Sequence, residues 1–205
     1  MATMQTSRGT VSYTDEGSGP PVLLLHAALH DRTDFAPVAE ALGNGRRVLA
    51  LDWPGHGESP LPATPLRAVE FGDLLIEFAD RLGLANAVIV GNSVGGYAAC
   101  RLALERPERV AGLVLVNTGG FTPHSVFTRF FCGVMGRPAV VKAVFPAFVR
   151  AYMRPKNPAD KAVPTALWRG RKQTGVRGPL RHCGRASPTP ATICASGPLR
   201  SARRC

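Results

Sequence analysis

Short apolar segments recur along the first half of this chain, each ending at small or polar residues. "GTVSYTDEG" (9–17) alternates apolar and polar positions, which predicts a half-exposed strand, and "SGPP" then turns the chain. "PVLLLH" (21–26), "RRVLALD" (46–52), "NAVIVGN" (86–92) and "VAGLVLVN" (110–117) are continuously apolar at their centres and predict buried strands. Between them the period changes. "RTDFAPVAEAL" places Phe35, Val38, Ala39 and Leu42 at helical spacing, with Gly43 as a stop. "PLRAVEFGDLLIEFADRLG" does the same with Leu66, Val69, Leu74, Phe78 and Leu82, and "VGGYAACRLALERP" predicts a helix between the last two strands. Strands alternating with helices build βαβ units. The fold class is therefore α/β, a mostly parallel sheet with helices on both faces.

After Asn117 this rhythm stops. Residues 118–168 contain "FTRFFCGVMG", "PAVVKAVFPAFVRAYM" and "NPADKAVPTALWR", helical in pattern and interrupted by prolines, and no further strand of the "VLALD" type follows. The expected organisation is an α/β core over 1–117, a helical segment over 118–168 and a tail over 169–205. Composition marks the last boundary. The chain has 205 residues and a net charge of +11, yet residues 1–168 hold 16 Lys and Arg against all 14 Asp and Glu. Residues 169–205 hold 9 Lys and Arg, no acid and no aromatic residue. Such a segment buries too little apolar surface to offset the entropy of ordering it, so disorder is the expectation. A basic tail attracts phosphates, but no aromatic side chain is interleaved to stack bases, which speaks against a specific nucleic-acid partner.

Other classes are excluded on simpler grounds. The apolar runs are far shorter than the roughly 20 residues of a membrane span, and "MATMQTSRGT" lacks a secretory h-region, so a cytoplasmic location is expected. Five unpaired-looking cysteines, with neither CxxC nor HExxH, suggest no disulfide framework, no metal and no cofactor. The sequence sets no oligomeric state.

The chemistry centres on "AVIVGNSVGGYAAC" (87–100). Gly91 and Gly95 flank Ser93 at the G-x-S-x-G spacing, with Gly96 beside them. A sharp strand-to-helix turn holds a serine Oγ above the sheet, and only small neighbours fit around it. The same turn puts the Val94 backbone N–H at a helix N-terminus, where it stabilises a developing oxyanion. Short patterns of this kind are weak alone; the strand before it and the helix after it supply the required context.

At this point the chain resembles the α/β-hydrolase fold family over about residues 10–168. "PVLLLHAALHDRTDF" is similar to the family's His-Gly oxyanion strand, with Ala27 in place of the glycine. "VLALDWPGHGESP" resembles its Asp-x-x-Gly-His-Gly-x-Ser loop through Asp52, Gly55, His56, Gly57 and Ser59, and "RPERVAGLVLVN" resembles the strand after the serine-bearing helix. The resemblance implies Ser93 as the nucleophile and the N–H groups of Val94 and Ala28 as the oxyanion hole. His26 would support the loop, and residues 118–168 would form a helical cap. His30, Phe130 and Phe131 would line a pocket for a small apolar ester or acyl substrate. Serine rather than aspartate points away from the epoxide hydrolases and haloalkane dehalogenases of the same fold.

A serine hydroxyl needs a base, itself oriented by a carboxylate. By the resemblance both follow the serine in the chain. His182 alone among the histidines fits that order without belonging to the presumed cap, where His124 sits, and Asp160 is the only carboxylate after Glu108; neither lies in a segment patterned to fix it. The expectation is therefore a serine hydrolase of ester or related acyl bonds with impaired chemistry. Set against it are a catalytically inactive, truncated hydrolase-like protein and a basic-tail binder of nucleic acid or anionic surfaces. The tail composition is that of GC-rich DNA read out of frame. Loss of the later family strands would leave "GLVLVN" as an unpaired apolar edge.

Overall fold

The computed structural model describes residues 1–120, with Ser125, Val126, Phe130, Ala143 and Ala147 beyond them. Six strands form one sheet: β1 (Ala2–Thr6), β2 (Gly9–Gly17), β3 (Pro21–Leu25), β4 (Arg47–Asp52), β5 (Ala87–Asn92) and β6 (Val110–Val116), in the spatial order β1-β2-β4-β3-β5-β6. β1 and β2 run antiparallel to each other, and β2 runs antiparallel to β4. β3, β4, β5 and β6 are mutually parallel. This is the mostly parallel sheet expected from the pattern. β1 was not foreshadowed, because "ATMQT" is only five residues long and has Met4 as its one large apolar side chain.

Helices α1 (Ala36–Leu42), α2 (Ala68–Arg81) and α3 (Val94–Glu105) cover the sheet. On one face α2 and α3 enclose the main core, where Leu23, Leu25, Leu49, Leu51, Trp53, Leu74, Phe78 and Ala98 are fully buried. On the other face Val22, Leu24, Val48 and Ala50 meet Phe35, Ala39 and Leu42 from the α1 segment. Period-2 alternation along β3 and β4 divides their side chains between these two cores. Val38 does not join the second core: it stays 42% exposed. Leu66 is buried but precedes α2 rather than lying on it.

Strand order decides where a ligand fits. β3 leads to β4 on one side, and β5 then pairs on the other side of β3. Beyond the carboxyl ends of β3 and β5 the chain departs toward opposite faces, α1 on one and α3 on the other, and such a switch point is where open α/β sheets bind ligands. Leu25 pairs with Gly91, so residues 26–28 and 92–94 leave neighbouring strands at the same edge.

The cap and tail assigned to 118–168 and 169–205 lie almost entirely outside the described residues. So do His124, Phe131, Asp160 and His182. Among the described residues β6 is a sheet edge, paired only with β5. It is not the buried strand that its composition suggests: Val114, Leu115 and Val116 are 49%, 40% and 43% exposed.

Candidate active site

Ser93 occupies the turn between β5 and α3, at φ 53° and ψ −112°. A non-glycine residue rarely adopts a positive φ, and holding one costs on the order of 1–3 kcal/mol unless its surroundings enforce it. Here they do. Ser93 donates its N–H to the Val116 carbonyl (3.0 Å), and its own carbonyl accepts from Tyr97 and Gly119, both at 3.1 Å. The three glycines around it are there for space. A Cβ on Gly91 would stand 2.6 Å from Gly96 Cα, one on Gly95 2.5 Å from the Leu25 carbonyl, and one on Gly96 2.3 Å from Thr118 Oγ1. The helix thus starts hard against the ends of β3 and β5. Val94 opens α3, and among the described residues its N–H has no acceptor outside that helix.

The facing loop follows β3. His26 and Ala27 are buried and Ala28 is exposed. Ala27 lies outside the positive-φ region, so its Cβ is accommodated where the resemblance has glycine. The unusual backbone falls two residues later, at Leu29, with φ 71°. The Ala27 carbonyl accepts from His26 Nδ1 (2.7 Å) and from the His30 N–H (3.2 Å). Among the described residues the Ala28 N–H has no acceptor.

His26 is 0% exposed and spends both ring nitrogens on backbone. Nδ1 donates to Ala27 O, and Nε2 accepts from the Trp53 N–H (3.1 Å), while Trp53 Nε1 donates to the His26 carbonyl (2.9 Å). Burial, with His56 nearby, pushes the His26 imidazole well below its ordinary range and keeps it neutral. His56 is lowered too, chiefly by burial, and its Nδ1 donates to Pro54 O (3.1 Å). Both rings brace loops.

A second knot holds the β4 loop. Asp52 is fully buried and accepts from the Arg32 N–H (2.7 Å), from the Glu58 N–H (2.9 Å) and from the Arg32 guanidinium, which also reaches Glu58 at 3.1 Å. Burial pushes the Asp52 carboxyl up, against the pull of those N–H groups and of Arg32. Ser59 Oγ donates to the Asp52 carbonyl (2.7 Å) and accepts from the Ser12 N–H (2.8 Å), tying the loop to β2. Sequence reading matched Asp52 and Ser59 to a motif but missed Arg32 and Trp53. No local pattern marks a partner 20 residues away.

His30 Nδ1 lies 2.5 Å from Asp34 Oδ2, the one hydrogen-bonded histidine–carboxylate pair among the described residues. No hydrogen bond joins His26, His30 or His56 to Ser93 among the described residues. Phe130 is 69% exposed. No group of three or more His, Cys, Asp or Glu among the described residues is placed to hold a metal ion, and no helix among them is long and apolar enough to cross a membrane.

Residues 20–132 match a family model described as the alpha/beta hydrolase fold. Haloalkane dehalogenase 2 of Mycobacterium tuberculosis (strain ATCC 25618 / H37Rv) is 34% identical over 140 residues, 68% of this chain and 49% of that protein. The sn-1-specific diacylglycerol lipase ABHD11 of Mus musculus is 33% identical over 162 residues, 77% of this chain and 49% of that one. The chain thus spans about half the length of the curated relatives it matches. Among solved structures, an esterase from Exiguobacterium antarcticum shares the fold at a TM-score of 0.71 and 20% identity, over 88% of this chain and 71% of that chain. A thermophilic esterase from Thermogutta terrifontis does so at 0.65 and 26% identity, over 89% and 69%.

Proposed function

This chain belongs to the α/β-hydrolase fold family, and we propose that it carries the nucleophilic half of a serine hydrolase acting on a small apolar ester or related acyl bond. The observation that carries the reading is the enforced positive φ of Ser93 at the start of α3. In this reading Ser93 Oγ attacks the acyl carbon. The N–H groups of Val94 and Ala28, neither with an acceptor among the described residues, stabilise the oxyanion in the crevice between β3 and β5. A serine at position 93 favours acyl transfer over the aspartate chemistry of dehalogenases. The lipase among its relatives and the 26% identical esterase among its structural neighbours support that choice.

The reading includes impaired turnover. Among the described residues His26 and His56 are committed to loop carbonyls and His30 to Asp34; His124 and His182 lie outside them. Oxyanion donors and binding without the base leave roughly 10³–10⁴-fold catalysis over water. The test is labelling of the full chain by a fluorophosphonate and hydrolysis of p-nitrophenyl esters, beside Ser93→Ala. Slow labelling that vanishes in Ser93→Ala is expected. Equal labelling of both proteins overturns the serine assignment, and rapid Ser93-dependent turnover overturns the impairment.

A further inference from the structure

The ends of β3 and β4 are interlocked in a way that the oxyanion reading does not by itself require. A peptide unit is planar and trans, so its C=O and N–H point in opposite directions. The Ala27 carbonyl and the Ala28 N–H belong to one such unit. The carbonyl is held by two donors, His26 Nδ1 and the His30 N–H. Whatever fixes that carbonyl also fixes the direction of the Ala28 N–H, which has no acceptor among the described residues. The first donor exists only if the imidazole proton is on Nδ1. That choice is made on the other side of the ring, where Nε2 receives the Trp53 backbone N–H at 3.1 Å and so has to remain unprotonated. Trp53 is itself fully buried, and its indole N–H returns to the His26 carbonyl.

We propose that His26 is a positioning residue: its Nδ1–H tautomer, imposed by the Trp53 amide, turns the Ala27–Ala28 peptide so that the Ala28 N–H faces the crevice beside Ser93. The proposal rests on Ser93 and Ala28 serving acyl chemistry, and it adds the element that sets the donor's direction. Placement supports it. Leu25 pairs with Gly91, and the start of α3 is packed against the Leu25 carbonyl, so this peptide leaves its strand beside the serine turn. The charged or titratable groups acting on the ring are Asp52, 4.0 Å from Nε2 and already engaged by Arg32, His56, with its centroid 5.4 Å away, and His30 and Arg32. None of their side chains forms a hydrogen bond to the ring, so backbone alone selects the tautomer.

Two substitutions separate the ring's two jobs. An asparagine amide reaches about as far as Nδ1, and a glutamine amide about as far as Nε2. His26→Asn therefore keeps the donor to Ala27 O, whereas His26→Gln keeps only the partner of Trp53. Ser93-dependent fluorophosphonate labelling is expected to fall by roughly 10²–10³-fold in His26→Gln, the usual effect of losing one oxyanion donor, and by less than about tenfold in His26→Asn. Equal losses in the two variants overturn the proposal.

A readout independent of turnover covers a variant that folds poorly. In the unaltered chain, ¹⁵N spectra of the His26 ring are expected to show a neutral imidazole protonated at Nδ1 and unchanged between pH 8 and 6. The residual dipolar coupling of the Ala28 N–H should match its direction in the structure. An Nε2–H ring, or an Ala28 vector that differs, overturns the proposal even if labelling is absent. Labelling independent of Ser93, with the ring and vector as expected, instead removes the serine reading and leaves the peptide lock standing.

Discussion

Glycine 95 and glycine 112 have the same composition and opposite meaning. Gly95 starts α3 against backbone, where a methyl group would meet the Leu25 carbonyl at 2.5 Å. Gly112 lies in β6, and a Cβ there would have nothing within 4 Å. Gly95→Ala must push helix and strand apart, which costs about 1–3 kcal/mol by overpacking. Gly112→Ala is expected to stay within about 0.5 kcal/mol of the unaltered chain. Urea unfolding midpoints measured side by side check both, and equal midpoints would mean that α3 is not packed as described. Glycines at 91 and 95 were legible in the sequence as a spacing around Ser93. Which atoms forbid a side chain was not, because those atoms belong to a strand some 70 residues earlier and to the next turn of the chain.

Among the elements, β6 shows how far pattern reading reaches. Its apolar run marked it as a strand, and it is one. The same run suggested burial, whereas Val114, Leu115 and Val116 are 40% or more exposed. Continuous apolarity is written for a strand covered on both faces, but burial depends on neighbours that no seven-residue window contains. Val110–Val116 carries no charge, and among the described residues nothing guards this edge against pairing with another chain. Val114→Lys is expected to lower concentration-dependent light scattering of the full chain while leaving the unfolding midpoint within about 0.5 kcal/mol. Unchanged scattering would show that association starts elsewhere. β1 makes the converse point. "ATMQT" is too short to show a clear pattern and pairs with β2 across a two-residue turn, so the pairing itself defines the strand.

At the scale of the molecule, buried histidines couple folding to pH. His26 and His56 are both held below their ordinary range, mainly by burial, so the unfolded chain binds protons that the folded one refuses. Their stabilising contribution is complete above the unfolded value of about 6.5 and is lost as pH falls below it. Asp52 has the opposite sign: burial raises its carboxyl, so protonation favours the folded state as pH drops through the raised value. That effect sets in nearer the carboxylate range and offsets the histidines only partly at mildly acid pH. Unfolding free energy is expected to fall by about 1–2 kcal/mol between pH 7.5 and 5.5. Denaturant titrations at the two pH values check it, and a flat or rising profile would mean that neither ring is buried neutral.

Local order alone determined the α/β class, the parallel strands, the serine turn and the small residues around it. Those features follow from backbone preferences and side-chain periods that act over a few residues. Only the assembled sheet decided that β3 and β5 adjoin, that Trp53 sets the proton on His26, that Arg32 closes on Asp52, and how exposed β6 is among the described residues. Each of these joins groups far apart in the chain, where the deciding energies are burial and the need of buried polar atoms for partners. Such energies depend on distance in space and leave no spacing to read along the sequence.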